Sequence, residues 1–561
     1  MLEVHRTGPV CIFGDCLNLA LVSILLACAS TCFAQTPPQR VQASIAMRDP
    51  AALEVSYQLP TACTSLTFVN DGIAPDLAAA LRKDWTPVDD CTLVESGQLR
   101  PARASCTTLR VRVPATQLSL DRIYPWALPL DDGFYTHTMS YAVTDGCGPV
   151  DWHFVAPGGT VVADGVVSAS KAERTAGAGG GNYIPVVLLR TEPNKERLHI
   201  AAGFSPQGKV FLTETLTTVE KELRNMLPDV VFTVPYTLAT VAHEGETWGD
   251  VANQTVMRLH LGAAPNSEQQ VQMSGFLAHE MAHLVQPLPD QRNDGWSMDG
   301  AMLTEGGAEF LRWAITARAD WAQPAGQRND LERAVTSCIL ATAGGSWRDT
   351  RKRGLGIAPY DCGFTFHALG LAGGKGEARP LLRLGAYYRT ARTGAHTDFA
   401  QALECGAAPG CTPRWLNRIG GSEPVDAILG DYAKQPGAFL RVASWTQAML
   451  DTVRRRYVNR LMQLDCQGVV HIAYKDDLVR VGDRLHCGAL REGMELVSAE
   501  GLPIFGRVQG LQASAHACAG SGRTTLGLRD GTNIVISCDK SAYVPMQLFS
   551  VDLNRALMLT K

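Results

Sequence analysis

SEQQVQMSGFLAHEMAHLVQP, residues 267–287, is the stretch on which the reading of this chain turns. Asn266 or Ser267 can cap a helix whose first turn carries Glu268, and Pro287, which has no N–H to give, ends it. His279 and His283 then lie one turn apart on one face. Zinc takes neutral nitrogen donors at about 2.0–2.1 Å, and the i, i+4 spacing aims both rings at one point. Glu280 is next in angle, where it can accept a proton from a water at the open coordination position and later deliver it to a leaving amine. An HExxH string by itself also arises in buried helices with incidental histidines, so the rest of the chain has to decide.

Two downstream segments do so. LTEGGAEFLRW, residues 303–313, puts Glu305 and Glu309 one helical turn apart. A carboxylate is the missing third ligand: catalytic zinc keeps three protein ligands and an open fourth position, which a His, His, Glu set satisfies. Gly306 and Gly307 weaken a helix but suit one that another helix must approach closely. APYDCGFTFHALG, residues 358–370, brings Tyr360 and His367 into the same stretch of chain. His367 in the same segment reads as a packed histidine.

HEMAH followed by TEGGAEF resembles the gluzincin metallopeptidases, particularly the aminopeptidase N and glycyl aminopeptidase families. That resemblance implies a zinc metallopeptidase holding one Zn2+ ion through His279, His283 and Glu305, the last matching the Glu of the families' NEG or YEG segment. It implies Glu280 as general base, Glu309 as an acidic residue orienting a ligand histidine, and Tyr360, from the resemblance of its segment to the families' PYxKG pattern, as the oxyanion donor. Peptides or proteins would be the substrates. The spacing from His283 to Glu305 is a few residues longer than usual, which places an insertion around DQRNDGWSMDG, residues 290–300. No GAMEN-like or GGLEH-like segment precedes the helix. TVMRLHL, residues 255–261, occupies that stretch and is expected to serve as an edge strand, so aminopeptidase and endopeptidase action both stay open. A rival reading is a metallopeptidase fold with altered chemistry that acts as an envelope peptide-binding or assembly module; the intact HEMAH, Glu305 and Tyr360 speak against it. An epoxide-opening gluzincin is a further hydrolytic class that these residues fit.

The fold class expected is multidomain α+β: an N-terminal β-sandwich, a thermolysin-like α/β plus α-helical catalytic unit, and a small C-terminal β domain. A chain of 561 residues exceeds what one core usually organises. Residues 36–174 alternate in short strands such as LEVSYQL, SLTFV, LRVRV and MSYAV, and the glycine-rich TAGAGGGN, 175–182, reads as a linker. Residues 183–460 open with strands at IPVVLLR and DVVFTVPY around a helix at FLTETLTTVEKELRNML and continue largely as helices. Residues 461–561 turn strand-like again, and there LHCGALREGMELVSAEGLPI resembles the GLxxGDxIxxVxG core of PDZ domains.

Residues 1–35 read as a signal peptide, with LALVSILLACA as its apolar core and cleavage expected after Cys32-Phe33-Ala34. The alternatives are an uncleaved membrane anchor and lipidation at Cys28. Beyond this leader twelve cysteines fall in three groups of four, with no CxxC pair. Disulfides closed within each region are expected, in a periplasmic or secreted setting. The net charge of -4 supplies no basic field for nucleic acid.

Overall fold

Alternation along single strands sets up the N-terminal sheet. In Thr108–Pro114 the side chains of Leu109, Val111 and Val113 are buried, while Arg110 and Arg112 point outward and pair with Glu54 and Asp49. Among the described residues nine strands make one sheet, and a smaller three-stranded sheet shares its core. The computed structural model describes residues 40–61, 63–68, 82–95, 97–116, 126–143, 147, 149–175, 184–191, 197–242, 247–252, 254–287, 300–351, 358–374, 379–466, 472–475, 477–482 and 487–561. The leader, nearly all of the glycine-rich linker and the 290–299 part of the insertion lie outside these residues.

The large sheet is mixed: β1 (Val41–Asp49) runs parallel to β2 (Val150–Ala163), with Val41 opposite Val150. MSYAV is not a strand, since Thr138–Tyr141 forms a 3-10 turn with the Tyr141 ring buried. β3 (Pro185–Leu189), read from sequence as the opening of the next unit, pairs with β2 and with Gly133–His137 inside the N-terminal sheet. All five of its residues are buried, as a strand covered on both faces must be.

The next sheet has four strands: β4 (Leu198–Ile200), β5 (Tyr236–Val241), β6 (Trp248–Ala252) and β7 (Val256–Leu261), ordered β4-β5-β7-β6. TVMRLHL is therefore interior, and among the described residues the outer strands are Leu198–Ile200 and Trp248–Ala252. The reason is visible in its burial. All six residues of β7 are covered, because the N-terminal sheet packs on one face through Tyr135, Val162, Val187 and Leu189. Arg258 of β7 is buried there, 3.9 Å from the centre of the Tyr135 ring and joined to Asp250 by bonds of 2.7 and 2.5 Å. DVVFTVPY also differs from expectation: the strand starts only at Tyr236, after Pro235, and Val230 and Phe232 pack into the core from irregular backbone.

Helices α1 (Pro206–Met226), α2 (Ser267–Ala282), α3 (Gly300–Arg318), α4 (Pro324–Thr342), α5 (Ala358–Ala372) and α6 (Pro380–Ala391) enclose the largest core, with α2, α3 and α5 at its centre. α7 (Gln447–Cys466) leaves this core and shares one with the C-terminal strands. That region is a sheet of six strands between Ile472 and Ser537, but it also holds a helix, α8 (Gln509–Ser521), which the expectation of a β domain omitted. The chain then returns: Leu548–Val551 pairs with Leu440–Ala443, and Phe549, Val551 and Leu559 join the core of the helical unit.

Six disulfides close within the three groups of four cysteines: 63–147, 91–106, 338–362, 405–411, 466–487 and 518–538. They suit an oxidising extracellular or periplasmic compartment. Among the described residues no helix is long and apolar enough to cross a membrane.

Candidate metal centre

α2 begins with a reciprocal cap. The Asn266 side chain accepts from Gln269 N and the Gln269 side chain accepts from Asn266 N, both at 2.9 Å. The α-helix stops at Ala282, one residue short of the second histidine, and His283–Val285 tightens into a 3-10 turn before Pro287. The two rings still face a common point, with centroids 5.0 Å apart and planes at 83°.

α3 supplies the carboxylates. Glu305 Oε2 lies 3.3 Å from His279 Nε2 and 3.6 Å from His283 Nε2. One donor atom from each of the three residues falls within 4.8 Å of the others. Tetrahedral bonds of about 2.0–2.1 Å place donors about 3.4 Å apart, so the spacing and the donor types both fit zinc. A second cluster, Asp465, Cys466 and Cys487, satisfies the same distance test but not the chemistry, because its two sulfurs are bonded to each other.

A close helix crossing brings Tyr360 to this point. A Cβ on Gly306 would lie 2.2 Å from Gly363 Cα, and one on Gly363 would lie 2.3 Å from Met302 O. Only glycine at both positions lets the backbones of α3 and α5 meet, which offsets the roughly 1 kcal/mol each loses relative to alanine in a helix. Tyr360, one turn before Gly363, then stacks on His279 at 5.9 Å, and its hydroxyl donates to Glu305. The next residue, Asp361, is buried and bonds Arg333 at 3.2 Å and Arg456 of α7 at 2.5 Å. The 338–362 disulfide ties the same turn to α4.

Each imidazole is held from behind through Nδ1. His279 Nδ1 lies 2.9 Å from Glu309 Oε1, and Glu309 Oε2 accepts from Arg312, which reaches on to Asp330. His283 Nδ1 lies 2.9 Å from Gln286 Oε1. Glu309 was singled out in the sequence; Gln286, Arg312 and Asp330 were not. Arg312, three residues after Glu309, could have been found by helical spacing.

Electrostatics follow from burial and these partners. Burial raises the Glu280 carboxyl to about 7, opposed by His279 and assisted by Asp250, Glu305 and Glu309. Burial works against a charged His279 ring but is outweighed by the carboxylates of Glu305 and Glu309 accepting from it, which hold it up at about 10. Burial would also raise Glu309, yet Arg312 and His279 bring it down to about 2. His283 is lowered, by burial first and by the neighbouring His279 second. Burial, followed by the charge of Glu305, raises the Tyr360 hydroxyl. His367 sits apart as a fully buried ring donating from Nδ1 to Gly363 O at 2.7 Å and packed on Phe310 and Phe399.

No sequence-family profile matches the chain, and no curated protein matches it. Among solved structures, an aminopeptidase N family protein from Idiomarina loihiensis superposes with a TM-score of 0.50 at 12% identity, covering 93% of this chain and 100% of that one. An M1 zinc metallopeptidase from Deinococcus radiodurans gives 0.34 at 13% identity, covering 67% of this chain and 95% of that one. The first of these shares the fold of this chain along nearly its whole length.

Proposed function

We propose that this chain is a zinc-dependent peptidase of the gluzincin type, acting on peptide or protein substrates outside the cytoplasm. The observation that carries the reading is the convergence of His279 Nε2, His283 Nε2 and Glu305 Oε2 beside Glu280 and Tyr360. The shared fold is in accord with it.

Zinc, when bound, supplies a Lewis acid for the scissile carbonyl and makes water acidic enough to be activated near neutral pH. His279, His283 and Glu305 are the residues that would hold it. Glu280 takes the proton of the attacking water, a task matched by a carboxyl that burial holds near 7, and passes it to the leaving amine. The Tyr360 hydroxyl turns from Glu305 to donate to the developing oxyanion. Among the described residues β6 is the outer strand of its sheet and lies against α2, where an extended substrate can align alongside it. Its one acid, Asp250, is engaged by Arg258.

The test is metal analysis of the purified protein followed by cleavage of a peptide library with free and blocked N-termini. One zinc per chain and cleavage lost by about a hundredfold or more in Glu280→Gln, with zinc retained, are expected. Undiminished cleavage by Glu280→Gln would refute the mechanism.

A further inference from the structure

The orientation of the Gln286 side chain is dictated by its surroundings. Its Nε2 lies 2.7 Å from the backbone carbonyl of Thr304, the residue immediately before Glu305. A carbonyl only accepts, so the amide nitrogen must face it and the amide oxygen must face His283 Nδ1, 2.9 Å away. That oxygen also only accepts. His283 therefore carries its proton on Nδ1 and presents a free lone pair on Nε2, the atom directed at Glu305.

The surroundings hold this amide in place. Gln286 is 2% exposed, and the carbonyls of its turn are gripped from two sides. Gln254 Nε2 donates to His283 O at 2.8 Å and to Gln286 O at 2.6 Å. Arg392 Nη1 donates to Leu284 O at 2.7 Å and to Gln286 O at 3.0 Å. Beneath it, a Cβ on Gly307 would stand 2.9 Å from Gln286 Nε2, so α3 leaves room for the amide only because that residue is glycine.

We propose that Gln286 is a positioning residue of the metal centre: one neutral amide selects the metal-binding tautomer of His283 and ties that ring to the backbone carrying Glu305. This rests on the zinc reading above. Hydrogen bonds to the far nitrogen of a ligand histidine are worth about ten- to a hundredfold in metal affinity.

The experiment measures zinc affinity of the full chain by competition with a chromogenic chelator, together with the visible spectrum of the cobalt(II)-loaded protein. Gln286→Met keeps the volume and removes both hydrogen bonds; it is expected to weaken zinc by about ten- to a hundredfold and to shift the cobalt bands. Gln286→Glu restores an acceptor for Nδ1 and is expected to recover part of the affinity. Should Gln286→Met fail to fold, Gly307→Ala carries the test, since its methyl would stand 2.6 Å from the Tyr388 hydroxyl and 2.9 Å from Gln286 Nε2, crowding the amide and weakening zinc in the same direction. Wild-type affinity in Gln286→Met or in Gly307→Ala overturns the proposal, as does a Gln286→Glu protein no better than Gln286→Met. A wild-type chain that takes up no zinc overturns the metal reading beneath it, which the wild-type titration shows separately.

Discussion

Behind His279 the protein is charged and behind His283 it is neutral. The first ring backs onto Glu309, Arg312 and Asp330 in succession. The second backs onto an amide and a backbone carbonyl, with His367 and Tyr388 close by around Gly307. Both routes present Nε2 to the same point, so tautomer selection does not need charge. Charge does alter the donor: a carboxylate partner makes an imidazole more basic, whereas an amide orients it without adding negative charge to the site. The difference also sets what surrounds each flank. An ionised Glu309 inside the protein needs Arg312 as a buried counter-charge, and Arg312 in turn needs Asp330. The amide has no such requirement and sits among aromatic rings.

Three changes break or sharpen this contrast. The largest effect is expected where both flanks hang on one contact, the crossing of α3 and α5. Gly363→Ala would set a methyl 2.3 Å from Met302 O, against backbone that cannot rotate away. A loss of about 3 kcal/mol or more in chemical denaturation is expected, with weaker zinc retention. An unchanged denaturation midpoint would mean that the crossing is looser than described.

Glu309→Gln converts the charged flank into a copy of the neutral one. Its amide can still accept from His279 Nδ1, but its NH2 then faces the Arg312 guanidinium, donor against donor. Zinc affinity weaker by about tenfold is expected in chelator competition. Affinity equal to wild type would show that the charge behind His279 contributes nothing to the centre.

The smallest effect is a pH slope on the neutral flank. Burial lowers His367 to about 4, against 6.5 for the group in its ordinary state. Between those values the unfolded chain binds more protons than the folded one. The stabilisation is thus complete above 6.5 and is lost as pH falls through about 4. Melting temperatures of the metal-free protein should decline over that window, and His367→Phe should flatten the decline. An equal slope in the variant would assign it to other groups.

How much of this was readable beforehand depended on the range of the interaction. HEMAH and the Glu305 and Glu309 pair could be picked out because each is a local arrangement within about one helical turn, where spacing fixes the angle between side chains, whereas Tyr360 was picked out by the resemblance of its segment to the PYxKG pattern. The grouping of the cysteines anticipated that the six disulfides among the described residues would close within their own regions. β3 was misassigned because a run such as PVVLL shows that a strand is covered on both faces, not which sheet covers it. β7 was taken for an edge for the same reason. α8, QGLQASAHACAGS, buries only Gly510, Leu511, Ser514 and Cys518, too sparse an apolar stripe to stand out as a helix.

The sequence by itself determined the donor types, their order along the chain and the glycines that let two helices touch. Glu309 behind His279 was legible as well, but tertiary structure alone decided what stands behind His283. Gln286 acquires its role from a carbonyl 18 residues away, and the turn that carries it is held by Gln254 and Arg392, 32 and 106 residues away. Hydrogen bonds between groups so distant in the chain leave no periodicity to read, because their partners are chosen by packing.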